Sequence, residues 1–152
     1  MNILILNVVH KIDENKTDMI DAFIEGAKES NNITTVSIYE KSFVKYLACN
    51  NKESINSIQQ YDIQEIYNII RETEMIILDL SVYNHNFSEQ LQYIIDFIYP
   101  LDRPKLKKVS LFLSLSSDEI YKEVIYNYEK SFLEYLKLEN MGIFTSYYMQ
   151  NK

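Results

Sequence analysis

The sequence predicts a single three-layer, doubly wound α/β domain, with a five-stranded parallel sheet of order 2-1-3-4-5 and helices on both faces. Three observations predict it. Short β-branched runs alternate with longer segments of helical period. The first of those runs, Asn2–Val9, is apolar on both faces, as a buried parallel strand must be. The length of 152 residues suits one full hydrophobic core, and no repeat or linker rich in Pro, Gly or Ser divides residues 1–152.

Taken in order, Asn2–Val9 reads as the first strand. A helix over Asp18–Ser30 follows, with Thr17 as its N-cap and Met19, Ile20, Phe23 and Ala27 along one face. Ile33–Tyr39 is the second strand, with Val36 and Ile38 on one side. Lys41–Tyr61 has no clear period and reads as a long polar excursion, too long for a simple connection. Asp62 and Glu65 form a capping box for a helix over Ile63–Thr73. Met75–Leu80 is the third and most hydrophobic strand. Ser88 caps a helix that runs to Tyr99 and stops at Pro100. Val109–Leu115 is the fourth strand, Ser117 opens a long helix to about Leu138, and Gly142–Tyr148 is the fifth strand. Right-handed crossovers between parallel strands then impose the strand order.

The composition narrows the partners. A net charge of −7 and a pI near 4.8 speak against a nucleic-acid backbone, whose binding needs clustered Lys and Arg. The longest apolar stretches, such as Met75–Leu78, are far shorter than the ~20 residues that span a bilayer. Met1–Val9 lacks the basic start and cleavage site of a signal peptide, so a cytoplasmic setting is expected. The single cysteine, Cys49, permits neither a disulfide framework nor a cysteine-based metal site, and reads as a small apolar residue. The thirteen tyrosines accompany abundant Asn, Ile and Lys, a bias that an A- and T-rich genome produces by itself.

In such sheets ligands bind outside the carboxyl ends of the strands, where the winding reverses. That singles out the loops His10–Lys16, Ser81–Phe87 and Leu115–Glu119. Around them the chain carries Asn2-Ile-Leu-Ile-Leu-Asn7, then Asp21-Ala-Phe-Ile-Glu-Gly-Ala-Lys28, then Asp62-Ile-Gln-Glu-Ile-Tyr67. Val82-Tyr83 with Asn86, Ser88, Gln90 and Leu91 follow, and then Ile95-Asp96 and Tyr99-Pro100-Leu101. In these segments the chain resembles the flavodoxin-like NADPH-dependent FMN reductase family, including its iron–sulfur flavoprotein branch. The resemblance implies a flavodoxin-like fold, FMN at the strand ends, a nicotinamide dinucleotide as electron donor, and a homodimer. It implies that Lys11, Asn15 and Thr17 receive the FMN phosphate, and that Ser81, Tyr83, Asn84 and Asn86 flank the flavin ring.

The chain departs from the family at those same loops. Where the family has Gly-Ser-Pro-Arg and then Gly-Asn-Thr, this sequence reads Val8-Val-His-Lys11 and Ile12-Asp-Glu-Asn-Lys-Thr17. Glycine lets a backbone approach a phosphate closely, and valine does not. Asp13 and Glu14 add negative charge against Lys11 and Lys16. His85 replaces a glycine beside Tyr83, and Cys49 alone cannot hold the branch's cluster, which usually takes four thiolates. Two readings follow: an FMN-dependent NAD(P)H oxidoreductase with an altered flavin site, or a non-catalytic descendant that has lost FMN and serves as a dimeric binding or regulatory module.

Three further features are weighed against plainer roles. His10 and His85 could form an acid/base or metal pair with Asp13 or Asp79, but the absence of a third ligand at a recognisable spacing favours two surface histidines. Asp79, alone in an apolar strand, needs a hydrogen-bonding partner or a raised pKa, and capping a neighbouring loop is favoured over catalysis. Tyr121, Tyr128 and Tyr135, at seven-residue spacing, read as the sheet-facing stripe of the last helix. Surplus apolar area there, or around Phe43, Tyr46 and Leu47, would serve a dimer interface.

Overall fold

The computed structural model describes residues 1–9, 18–39, 42–46, 58–60, 62–81, 87–115 and 121–147. The strands are β1 (Asn2–Val9), β2 (Asn32–Tyr39), β3 (Ser42–Tyr46), β4 (Ile58–Gln60), β5 (Met75–Ser81), β6 (Lys108–Leu115) and β7 (Glu139–Tyr147). The helices are α1 (Asp18–Ala27), α2 (Ile63–Glu72), α3 (Phe87–Ile98) and α4 (Tyr121–Tyr128), the last continued by a π-helical segment over Glu129–Tyr135.

Among the described residues these strands form one sheet in the order β4-β3-β2-β1-β5-β6-β7. Its five parallel members, β2-β1-β5-β6-β7, reproduce the expected 2-1-3-4-5 order. The amino ends of these strands are stitched together. Asn32 N–H donates to Met1 O at 3.0 Å, Glu74 N–H to Asn2 O at 2.9 Å, Lys107 N–H to Glu74 O at 3.1 Å and Glu139 N–H to Lys107 O at 2.8 Å. With their starts aligned, β1, β5 and β6 end close together at Val9, Ser81 and Leu115.

Both faces of the sheet are covered, which explains the unbroken apolar runs. On one face Ile76, Leu78 and Leu80 of β5 pack with Ile66 and Ile70 of α2, Ile94, Ile95 and Ile98 of α3, and Val124, Tyr128 and Phe132 behind β6. On the other, Ile3, Ile5, Met75, Ile77 and Phe112 pack against Ile20, Phe23 and Ile24 of α1. Each fully buried aliphatic side chain is worth ~1.5–3 kcal/mol over leaving it in water, so β5, buried from Met75 through Leu78 and at Leu80, anchors both layers.

Several local expectations hold and others change. Asp62 Oδ1 accepts from Glu65 N–H at 2.8 Å, so the cap of α2 is as expected. The expected excursion at 41–61 instead supplies β3, antiparallel to β2 (Ser37 beside Val44), and β4, antiparallel to β3 (Val44 beside Gln60), which extend the sheet. The sequence hides them because they are short strands at one side of the sheet, with little apolar alternation. Helix α3 begins at Phe87, so Ser88 lies inside its first turn rather than capping it. The last strand starts at Glu139, three residues before the expected Gly142.

The tyrosine stripe also breaks. Tyr128 is buried and donates to Asn140 Oδ1 at 3.0 Å, and burial pushes its phenol pKa well up. Tyr135, by contrast, is exposed and stacks on Tyr99, with ring centres 4.8 Å apart. The π-helical segment explains the difference. Its i→i+5 bonding, seen in Leu136 N–H donating to Ser131 O at 3.2 Å, widens the turn, so seven residues no longer complete two turns. The helix ends beyond it with Lys137 in the left-handed region, φ 58°.

Gly142 sits at a register shift between β6 and β7 with φ of +141°, a conformation L side chains rarely adopt. A Cβ there would lie 2.8 Å from the Phe144 ring, which itself rests on Phe112 with centroids 4.9 Å apart. Gly142→Ala is therefore expected to lower stability by about 1–3 kcal/mol, through backbone strain and displacement of that ring. Urea unfolding checks this, with Gly26→Ala, where nothing lies within 4 Å of the added Cβ, as the control that should stabilise slightly.

Candidate functional site

The carboxyl ends of β1, β5 and β6 open on the same edge of the sheet, because all three strands are parallel and adjacent. β1 is also where the winding reverses. Through α1 the chain passes to β2 on one side, and through α2 it passes to β5 on the other. The point between β1 and β5 is thus the topological switch at which such folds bind ligands. The loops 10–17, 82–86 and 116–120 spring from this edge.

Lys11, Asn15, Thr17, Tyr83, Asn84 and Asn86 lie in the first two of those loops, outside the described residues, as do His10, His85 and Cys49. Ser81 is the exception in backbone only. It is the last residue of β5 and pairs in register with Ser114 of β6, which places it at the rim of the switch point.

One level below the rim, the register places four residues side by side across four strands. Ser37 of β2 lies beside Asn7 of β1, Asn7 beside Asp79 of β5, and Asp79 beside Phe112 of β6. Register partners in a parallel sheet point to the same face, and Met75 and Ile77 assign that face of β5 to the α1 side. Ser37 and Asp79, like Thr35 and Ser110, are thus polar positions on a face that also carries Ile3, Ile5, Met75 and Ile77. Asp79 stood out in the sequence. Ser37 did not, because a serine in a strand carries no signal until the register sets it two strands from a carboxylate.

This row is not satisfied in the usual way. Ser37 is completely buried, and neither its Oγ nor Oδ1 of Asp79 has a hydrogen-bond partner among the described residues. Unpaired buried polar atoms are uncommon and cost on the order of 1–3 kcal/mol each. Burial, and then the negative charge of Asp21 on α1, push the Asp79 carboxyl up from 3.8 to about 7. The expectation that Asp79 would be partnered or shifted thus resolves as shifted. No described donor supports the loop-capping role.

Two other features do not coincide with this edge. A groove of about 540 Å³ is lined by Gln92, Ile95, Asp96, Tyr99, Pro100, Lys130, Ser131 and Tyr135. It lies along the later turns of α3 and the π-helical segment, toward the amino ends of the strands and away from the switch point. Among the described residues no group of three His, Cys, Asp or Glu is placed to hold a metal ion, and no helix is long and apolar enough to cross a membrane.

The raised Asp79 pKa has a consequence for stability. The folded state holds this proton more tightly than the unfolded chain, so the contribution is full below 3.8 and is lost as pH rises to about 7. Asp79→Asn, neutral throughout, should not show that decline. At pH 8 it is expected to exceed the parent chain by ~2 kcal/mol, a figure reduced for partial solvent access, and to match it more closely near pH 4. Urea midpoints at the two pH values check it, and a constant difference between the proteins would be contrary.

No protein-family model matches this chain, and no curated protein matches it by sequence. Among solved structures it is similar to the NAD(P)H:quinone oxidoreductase from Methanothermobacter marburgensis, with a TM-score of 0.60 and 13% sequence identity. The match covers 97% of this chain and 83% of that one. Together with the 2-1-3-4-5 parallel core, this similarity establishes the fold as flavodoxin-like.

Proposed function

We propose that this chain is a flavin-dependent oxidoreductase that binds FMN across the carboxyl ends of β1, β5 and β6 and takes electrons from a reduced nicotinamide dinucleotide. The observation that carries the reading is the switch point between β1 and β5, with its unpaired polar atoms on Ser37 and Asp79, in a flavodoxin-like sheet. The similar solved structure is an NAD(P)H:quinone oxidoreductase, which supports the same class of chemistry.

Lysine, amide and hydroxyl side chains in the loop sequences are donors of the kind an FMN phosphate takes. From the resemblance of the sequence, Lys11, Asn15 and Thr17 would receive the phosphate, and Ser81, Tyr83, Asn84 and Asn86 would flank the ring. The bound flavin would supply the two-electron chemistry, and the chain would supply placement, exclusion of water and the local field. The Ser37 hydroxyl offers a donor beneath the rim, and Asp79 offers a second when it carries its proton. A homodimer in the cytoplasm, as in the family the sequence resembles, completes the proposal.

One observation favours a second reading, a cofactor-free dimeric binding or regulatory module. Asp79 lies where the resemblance expects a small residue, and its carboxyl, like Asp13 and Glu14, opposes a phosphate when ionised.

The decisive experiment is a visible spectrum of the protein after incubation with excess FMN and desalting. Flavin bands roughly stoichiometric with protein are expected, and Lys11→Ala with Thr17→Ala should weaken FMN binding by about tenfold or more, read by fluorescence quenching. A colourless protein that leaves micromolar FMN fluorescence unquenched would rule out the reductase and leave the binding module.

A further inference from the structure

The described sheet ends at β4 on one side and at β7 on the other, and the two ends differ. β4 is only three residues long, and Lys45 stands in the adjoining β3. A short strand and a lysine both discourage a further strand from adding to a sheet. β7 has neither device. It is the longest strand described, nine residues, and after Glu139 it holds no charged residue and no proline through Tyr147. Among the described residues it pairs with β6 alone. Its one protective feature, the register shift beside Gly142, lies in its first half. Beyond that shift Ile143–Tyr147 match Leu111–Leu115 without interruption, so this stretch presents a regular outer edge.

Side-chain cover also stops short of β7. On the α1 side of the sheet the ring centre of Phe23 lies 5.4 Å from that of Phe112, which lies 4.9 Å from that of Phe144. Along this series exposure rises from 5% at Phe112 to 47% at Phe144, so α1 shields β6 but not β7. Met141, in the same strand, is 44% exposed. Large apolar side chains on a strand with an open edge mark a contact surface.

We propose that β7 is the surface by which two copies of this chain associate, pairing antiparallel about a twofold axis near Thr145 so that the sheet of one protomer continues into the next, with Phe144 of each copy covered at the junction. Charge and symmetry choose a second copy as the occupant. At a net charge of −7 two copies repel each other, and contact costs least where charge is absent, as it is from Asn140 to Tyr147. An antiparallel pair of identical strands is self-complementary, because each bond made by one copy is returned by the other. A partner recognised by its charge would find nothing to bind in this stretch. The inference stands apart from the flavin reading, since β6 separates β7 from β5 and the switch point.

A few main-chain hydrogen bonds and two aromatic rings make a small interface, so the dissociation constant is expected to be on the order of micromolar or weaker. Sedimentation equilibrium of the full chain over about 1–200 μM, a range that brackets such a constant, should show monomer passing into dimer. Thr145 is exposed at the centre of the regular stretch, and Thr145→Lys sets two like charges opposite each other. It should weaken dimerisation by about tenfold or more, and Phe144→Ala should weaken it without adding charge. Tyr126→Lys adds the same charge on α4, where Tyr126 is 60% exposed, and should leave the dimer intact. Far-ultraviolet circular dichroism checks that each variant is folded. Amide hydrogen exchange of the parent chain gives a readout that needs no variant: amides within Ile143–Tyr147 should exchange more slowly at high protein concentration than at low.

A parent chain that stays monomeric throughout the range overturns the proposal. So does a dimer that survives Thr145→Lys but is lost in Tyr126→Lys, which would move the interface to the helical face. A dimer whose Ile143–Tyr147 amides exchange at a rate independent of concentration overturns it as well. FMN fluorescence quenching measured on the same samples reports on the flavin site separately.

Discussion

The arrangement of this molecule depends on one constraint, that β5 is buried on both faces and hydrogen-bonded on both edges. Ile76, Ile77, Leu78 and Leu80 are shut off from solvent, and β1 and β6 flank the strand in parallel register. Parallel neighbours cannot be joined by tight turns, so each must be reached by a helical crossover that packs on one face or the other. The two helical layers and the gathering of loops at one edge follow from that. The backbone bonds at the amino ends, from Asn2 through Glu74 to Lys107 and Glu139, keep the strands from slipping and so bring their far ends level.

The same constraint explains which parts of the structure were legible in the sequence. β5, β1 and β6 announce themselves because two-sided burial leaves most of their positions apolar, and Asp62 with Glu65 marks the start of α2 through local chemistry alone. The antiparallel pair β3 and β4 gave no such mark. As short strands with few paired residues, they are held by what they lie beside rather than by their own pattern. The π-helical turn was hidden for a related reason. Seven-residue spacing of Tyr121, Tyr128 and Tyr135 is equally compatible with α-helix, and only the bond from Leu136 to Ser131 shows the widened turn that sends Tyr135 outward to Tyr99.

For the candidate site, legibility divides by the range of the interaction. Asp79 is visible in sequence because a carboxylate within Met-Ile-Ile-Leu-Asp-Leu breaks a purely local pattern. Its significance is not local, since it comes from Ser37 two strands away, from Asp21 across the helix packing, and from the position of all three at the reversal of winding. Resemblance to a family supplies candidate ligands in the loops, yet the loops are where this chain departs from that family. The floor beneath them, fixed by strand register, is the firmer guide to what chemistry the crevice tolerates.

The central pairing of Ile3 with Met75 also sets an order of events when the chain is made. The unit β1–α1–β2 pairs within the first 39 residues, but one edge of β1 then stays open until β5 has been added. At synthesis rates of about 5–20 residues per second, that edge and its apolar face wait several seconds for their neighbour. During that interval the nascent chain offers a strand edge to any other unpaired strand. The hazard of misassembly is therefore concentrated between the emergence of β2 and that of β5, and closing of the sheet's centre ends it.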